Sequence, residues 1–147
     1  MGIKPGMTVA DFGAGSGEHT FAIADAVGPT GRVYAIDVQR DLLRRIHNEA
    51  RRREQAHVDV LWGDLETPQN SKLADDHVDL VLVANLLFQL EDKRQALLEA
   101  RRILKPTGTL VIIDWAGTAL GEHRTIAIGP HRHYAVFQDE ALDLALR

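Results

Sequence analysis

Apolar residues recur along this chain in two alternating rhythms. Five short runs, at 7–12, 32–36, 57–62, 78–84 and 109–114, are rich in valine, isoleucine and leucine and read as strands. The last two are nearly continuous in apolar character (Val78 with Leu80–Ala84, then Leu110–Ile113), the pattern of strands covered on both faces. Between the runs the spacing becomes helical. Phe21, Ile23, Ala24 and Val27 share a stripe over 19–27. Over 40–53, Leu42, Leu43, Ile46 and Ala50 form one face and most arginines fall elsewhere. Over 93–104 the stripe is Ala96, Leu97, Ala100, Ile103 and Leu104. A short helix is expected at 85–90. The weakly periodic stretch 64–76 reads as a loop with one helical turn near 71–74. Gly28-Pro29-Thr30-Gly31 and Lys105-Pro106-Thr107-Gly108 supply the breaks that return the chain from helix to strand. Strictly alternating strands and helices predict an α/β, doubly wound, mainly parallel sheet with helices on both faces. After Trp115, glycines, Pro130, His123, His131 and His133 predict an irregular tail over 116–137, then a closing amphipathic helix from about 138.

Composition narrows the chemistry. The 147 residues are 45% hydrophobic, which suits one domain spanning 1–147 with a core of its own. There is no cysteine, so disulfides, thiolate nucleophiles and cysteine-held metals are excluded. The net charge is −4, with 21 acidic against 17 basic residues, which argues against nucleic acid or an anionic membrane as partner. Arg51-Arg52-Arg53 reads as the solvated C-terminal turn of a helix, where cations complement the helix dipole. The first residues carry no apolar signal region, and no run nears the ~20 apolar residues that cross a bilayer. A cytoplasmic location is the expectation.

The sharpest local signal is Asp11-Phe12-Gly13-Ala14-Gly15-Ser16-Gly17, an apolar strand running into three glycines ahead of a helix. Such a loop turns tightly and lets backbone N–H groups approach a ligand near a helix N-terminus. The spacing is GxGxG. A dinucleotide fingerprint would need glycine where Glu18 stands, and the Lys-Ser/Thr of a nucleotide-triphosphate loop is missing. Taken alone, the loop fits a structural strand–helix turn equally well. Asp37 ends the second strand 20 residues beyond Gly17, and Asp64 ends the third. Both are expected at the same carboxyl edge as the glycine loop. Asp37 could take both hydroxyls of a ribose or cap the next helix. Asp64 could take an adenine amino group or serve as a loop aspartate.

With these residues in view, the chain resembles the class I S-adenosylmethionine-dependent methyltransferases from Met7 to about Trp115, nearest the small-molecule and quinone-type branch. Asp11–Gly17, Val33–Asp37, Gly63-Asp64-Leu65, Val78–Asn85 and Ala100–Leu110 look like successive motifs of that family. The resemblance implies a Rossmann-like five-stranded sheet in the order 3-2-1-4-5. It implies S-adenosylmethionine as cofactor, S-adenosylhomocysteine as product and a small-molecule acceptor. Carried over, Gly13, Ala14, Gly15 and Gly17 would approach the methionine part, and Asp11 would orient the loop or reach the amino group. Asp37 would hold the ribose and Val38 would pack on adenine. Gly63, Asp64 and Leu65 would read the adenine edge, while Asn85 and Leu86 would line the methyl-donor end. His19 could face the cofactor carboxylate or stand in solvent. No catalytic residue and no metal ligand is assigned; the tail histidines could supply a base, bind a metal or simply be exposed. Relatives carry a cover before the first strand and a strand pair after the fifth. Against them this chain reads as a fragment, a minimal family member or part of an oligomer, with an open edge at strand five that invites a homodimer. Two other functions stay open: a cofactor-binding module without its own turnover, and a nicotinamide-dependent oxidoreductase, against which Glu18 argues.

Overall fold

The computed structural model describes residues 2–114. The tail over 116–137, its histidines and the closing helix lie outside the described residues. Five strands form one parallel sheet: β1 (Thr8–Phe12), β2 (Arg32–Asp37), β3 (Val58–Trp62), β4 (Val78–Ala84) and β5 (Leu104–Ile113). Their order is β3-β2-β1-β4-β5, as the resemblance implies. The helices are α1 (Glu18–Val27), α2 (Arg40–Arg52) and α3 (Lys93–Ile103), with a 3-10 turn at Leu87–Gln89 where a short helix is expected. This is a Rossmann-like, doubly wound architecture. No described helix is long and apolar enough to cross a membrane.

The strands divide their side chains between two cores, as their period of two requires. Val9, Val33, Leu80 and Leu82 pack with Phe21, Ile23 and Val27 of α1 and with Ile46 of α2. Ala10, Phe12, Val81 and Val83 pack on the other face with Ala96, Leu97, Ala100 and Ile103 of α3. Central β1 and β4 are buried on both faces, which explains their unbroken apolar runs. The arginines at the end of α2 form a local cluster: Arg52 and Arg53 both pair with Glu49, and the Arg53 guanidinium lies over the Phe21 ring at 4.3 Å.

Two local expectations are corrected. The turn Lys105–Gly108 does not precede β5 but lies inside it. Val78 pairs with Leu104 and Leu80 with Thr109, so the turn bulges out of the ladder. Pro106 has no N–H to give that ladder. The helical turn near 71–74 does not form either. Lys72 is left-handed (φ 66°), which breaks a right-handed turn at its second residue. Moreover, the Gln69 and Ser71 amides, each at 3.1 Å, donate to the Glu99 carboxylate on α3. Arg102 closes this clamp by donating to Glu99, Asp75 and the Leu73 carbonyl. The crossover from β3 to β4 is thus a loop tied to α3 through one buried carboxylate, 2% exposed. Burial pushes the Glu99 carboxyl up, but the hydrogen bonds from Arg102 and Ser71 outweigh it and hold its pKa below the ordinary value. Glu99→Ala strands these donors and is expected to cost about 2–4 kcal/mol in urea unfolding. A loss under about 0.5 kcal/mol would show that the clamp does not hold the loop.

Candidate functional site

Parallel pairing brings the carboxyl ends of β1, β2 and β3 side by side, with Phe12 opposite Ile36 and Asp37 opposite Trp62. The glycine loop leaves β1 at this edge. Gly13 takes φ 72° in the left-handed region, and a Cβ there would stand 2.8 Å from Leu86 Cδ1. Gly17 takes φ 87°, and a Cβ would press on Ile46 and Phe21 at 2.9 Å. Both positions therefore require glycine for conformation and for space.

Four of the loop amides already have acceptors within the chain. Gly13 and Ala14 donate to the Ile36 carbonyl at 2.9 and 3.1 Å, and Gly17 donates to the Ala14 carbonyl at 2.8 Å. Gly15 donates to Asp37 Oδ2 at 2.9 Å. Asp37 Oδ1 in turn accepts from the Gln39 amide at 2.8 Å, at the entrance of α2. Asp37 thus braces the helix entrance and still keeps acceptor capacity, since a carboxylate has about four lone-pair sites and two are used. Asp64 behaves as a loop aspartate: Oδ1 accepts from the Glu66 amide at 3.0 Å and Oδ2 from the Thr67 hydroxyl at 3.2 Å.

A cleft of about 270 Å³ opens over this edge. Of the twelve residues expected at the site, Gly13, Gly15, Asp37, Val38, Gly63, Asp64, Leu65 and Leu86 line it. Val38 is 52% exposed there. Asp11, Ala14, Gly17 and Asn85 do not line it. Asp11, Ala14 and Gly17 are buried beneath the loop. Asn85 is an exposed residue that turns the chain after β4 in a left-handed conformation (φ 51°). Its carbonyl accepts from Gln89 Nε2 at 2.6 Å. Gln39, Glu66, Gln89 and Leu90 also line the cleft and were not foreseen. Gln39 and Glu66 stand two places beyond the two predicted aspartates, so adjacency in sequence was the available signal. Gln89 and Leu90 come from the turn after β4, whose path periodicity does not give.

Comparison with known proteins places the arrangement. A methyltransferase-domain family model matches residues 3–134. The crystal structure of a SAM-dependent methyltransferase from Aquifex aeolicus superposes with TM-score 0.81 at 31% identity, covering 97% of this chain and 71% of that one. The chain belongs to the class I S-adenosylmethionine-dependent methyltransferase family. A ubiquinone/menaquinone biosynthesis C-methyltransferase from Cupriavidus necator is 32% identical over 78% of this chain and 46% of its own length. An uncharacterized 37.1 kDa transposon protein from Streptomyces fradiae is 37% identical over 76% of this chain and 32% of its own length. The chain therefore spans about half, or less, of the length of the curated relatives it matches.

One carboxylate of this chain lies beneath its loop. Asp11 is 1% exposed and its Oδ2 accepts from the Thr20 hydroxyl at 2.6 Å. Burial pushes its pKa from the ordinary 3.8 up to about 6, while the Thr20 hydrogen bond and the His19 charge pull the other way and Asp37 adds a further rise. The folded state therefore holds the Asp11 proton more tightly than the unfolded chain between about pH 4 and 6. Over that window this group's contribution to stability falls as pH rises. Asp11→Asn removes the buried charge but keeps an acceptor for Thr20. The variant is expected to match the wild type below about pH 4 and to exceed it by on the order of 1–3 kcal/mol above pH 6. Urea unfolding across pH measures this, and a pH-independent difference would contradict it.

Proposed function

We propose that this chain binds S-adenosylmethionine in the cleft and transfers its methyl group to a small-molecule nucleophile, releasing S-adenosylhomocysteine. The observation that carries the reading is Asp37: a buried carboxylate, fixed by two backbone amides, with acceptor sites left over at the mouth of an open cleft. The space suits such a ligand. The cleft volume is near the ~300 Å³ lower end of small-molecule sites. A Cβ at Gly15 would meet nothing nearer than the Gly13 carbonyl at 3.8 Å, so the loop leaves room above it. The charge suits it as well. Asp37, Asp64 and Glu66 line the cleft with no lysine, arginine or histidine among its described lining residues, which favours a cationic ligand over a pyrophosphate.

In this reading Asp37 accepts from the ribose hydroxyls, Val38 and Leu65 flank the adenine, and Asp64 meets its edge. Gly13 and Gly15 give room to the methionine part, with Asp11 holding the loop from below through Thr20. Leu86 and Leu90 are apolar and line the other end, where they exclude water from the methyl group. The sulfonium, when bound, brings both the methyl group and its leaving group. The chain's share is alignment of the acceptor and desolvation, which needs no protein nucleophile. Identity to quinone methyltransferases supports a small organic acceptor.

A second reading, a cofactor-binding module without turnover of its own, is favoured by one fact: the described cleft, about 270 Å³, is near the lower end for a single small-molecule ligand and leaves little described room for an acceptor. Calorimetric titration with S-adenosylhomocysteine tests what the two share, with NAD as control; preference for NAD would overturn both. Methyl transfer to thiol, amine and hydroxyl acceptors separates them. Asp37→Ala is expected to weaken S-adenosylhomocysteine binding by about 1.5–3 kcal/mol, the range for hydrogen bonds to a charged group. An unchanged affinity would remove Asp37 from the site.

A further inference from the structure

Trp62 ends β3 at the sheet edge and is 39% exposed. It shares a strand face with Val58 and Val60, which turn toward α1 and α2. Its indole is held in two ways. The Arg40 guanidinium, at the start of α2, lies over the ring at 4.8 Å. The indole Nε1 donates to the Val38 carbonyl at 2.8 Å.

That carbonyl belongs to the same peptide plane as the Gln39 amide, and the plane is rigid. Trp62 grips the carbonyl end, while Asp37 Oδ1 accepts from the amide end at 2.8 Å. The backbone just before it is also tied, since the Gly63 amide donates to the Asp37 carbonyl at 3.2 Å. The Val38 side chain is 52% exposed and borders the cleft. Its direction is set by the backbone that carries it. An indole N–H is a donor with no other use, so its removal frees one end of the plane without adding a competing group.

We propose that Trp62 is a positioning residue for the cofactor's adenine, acting through the 38–39 peptide to hold Val38 as a fixed apolar shelf. Trp62 does not itself touch the ligand. The inference rests on the assignment of this cleft to the cofactor's nucleoside, and it adds a residue that none of the sequence motifs contains. Fixing the shelf before binding spares the ligand the cost of ordering it.

The test is a double-mutant cycle read by calorimetry with S-adenosylhomocysteine, using Trp62→Phe and Val38→Ala. Phenylalanine keeps an aromatic ring for Arg40 and removes the N–H donor together with part of the indole's area. Trp62→Phe is expected to weaken binding about three- to tenfold, the scale of one neutral hydrogen bond. In the Val38→Ala background the same change is expected to cost less than twofold, because the shelf it orients is gone. A general loss of fold integrity would carry the same penalty into both backgrounds, so the cycle separates positioning from stability. Equal affinity of Trp62→Phe and wild type, or full additivity with Val38→Ala, overturns the inference while leaving the cleft assignment standing. Failure of the wild-type chain to bind S-adenosylhomocysteine overturns the cleft assignment, and the role of Trp62 with it.

Discussion

One carboxylate joins the parts of this structure that matter most. Asp37 accepts from Gly15 in the loop after β1 and from Gln39 at the entrance to α2, and its own carbonyl accepts from Gly63 after β3. Two segments distant in sequence, at Gly15 and Gly63, are thereby tied to one residue at the entrance of α2, the first through its side chain and the second through its carbonyl. Bonds from N–H to a carboxylate are stronger than those between neutral groups, and Asp37 is only 8% exposed, so water competes weakly for them. The arrangement is possible only because the sheet is parallel and in register, which delivers all three strand ends to one edge. A slip of one residue at β2 would turn Asp37 to the opposite face.

This bracing explains which parts of the site were legible in the sequence. The strands were, because burial on both faces leaves little freedom in residue type; Leu80–Ala84 can hardly be anything else. The glycines were, because positive φ and crowding by Leu86, Phe21 and Ile46 admit nothing larger. For Asp37 and Asp64, structural and binding roles looked like alternatives, yet a carboxylate with four lone-pair sites can do both. The structural role is now visible in Asp37's bonds to Gly15 and Gln39 and in Asp64's bonds to Glu66 and Thr67.

What was hidden depends on distant partners. The path of 64–77 is decided by Glu99 and Arg102, about 30 residues away, and local periodicity carries no trace of them. The left-handed Lys72 and Asn85 have no glycine to announce them. Trp62 gave no signal either, because an aromatic residue at a strand end is ordinary until its N–H is seen to meet the Val38 carbonyl.

The same bonds bear on why a strand–glycine–helix edge like this one suits an adenosyl sulfonium better than a phosphate. Phosphate sites in such folds work by aiming uncommitted loop amides and a helix dipole at the anion. Here the amides of Gly13, Ala14, Gly15 and Gly17 already have acceptors. Glu18 opens α1 with a negative charge, and Asp37, Asp64 and Glu66 stand around the cleft. An anion entering would meet three carboxylates, whereas a cationic sulfonium meets a complementary field. Loss of the methyl group removes that positive charge from the sulfur. Under the proposed assignment of this cleft, the same field holds the product, whose sulfur is neutral, less strongly than the cationic cofactor.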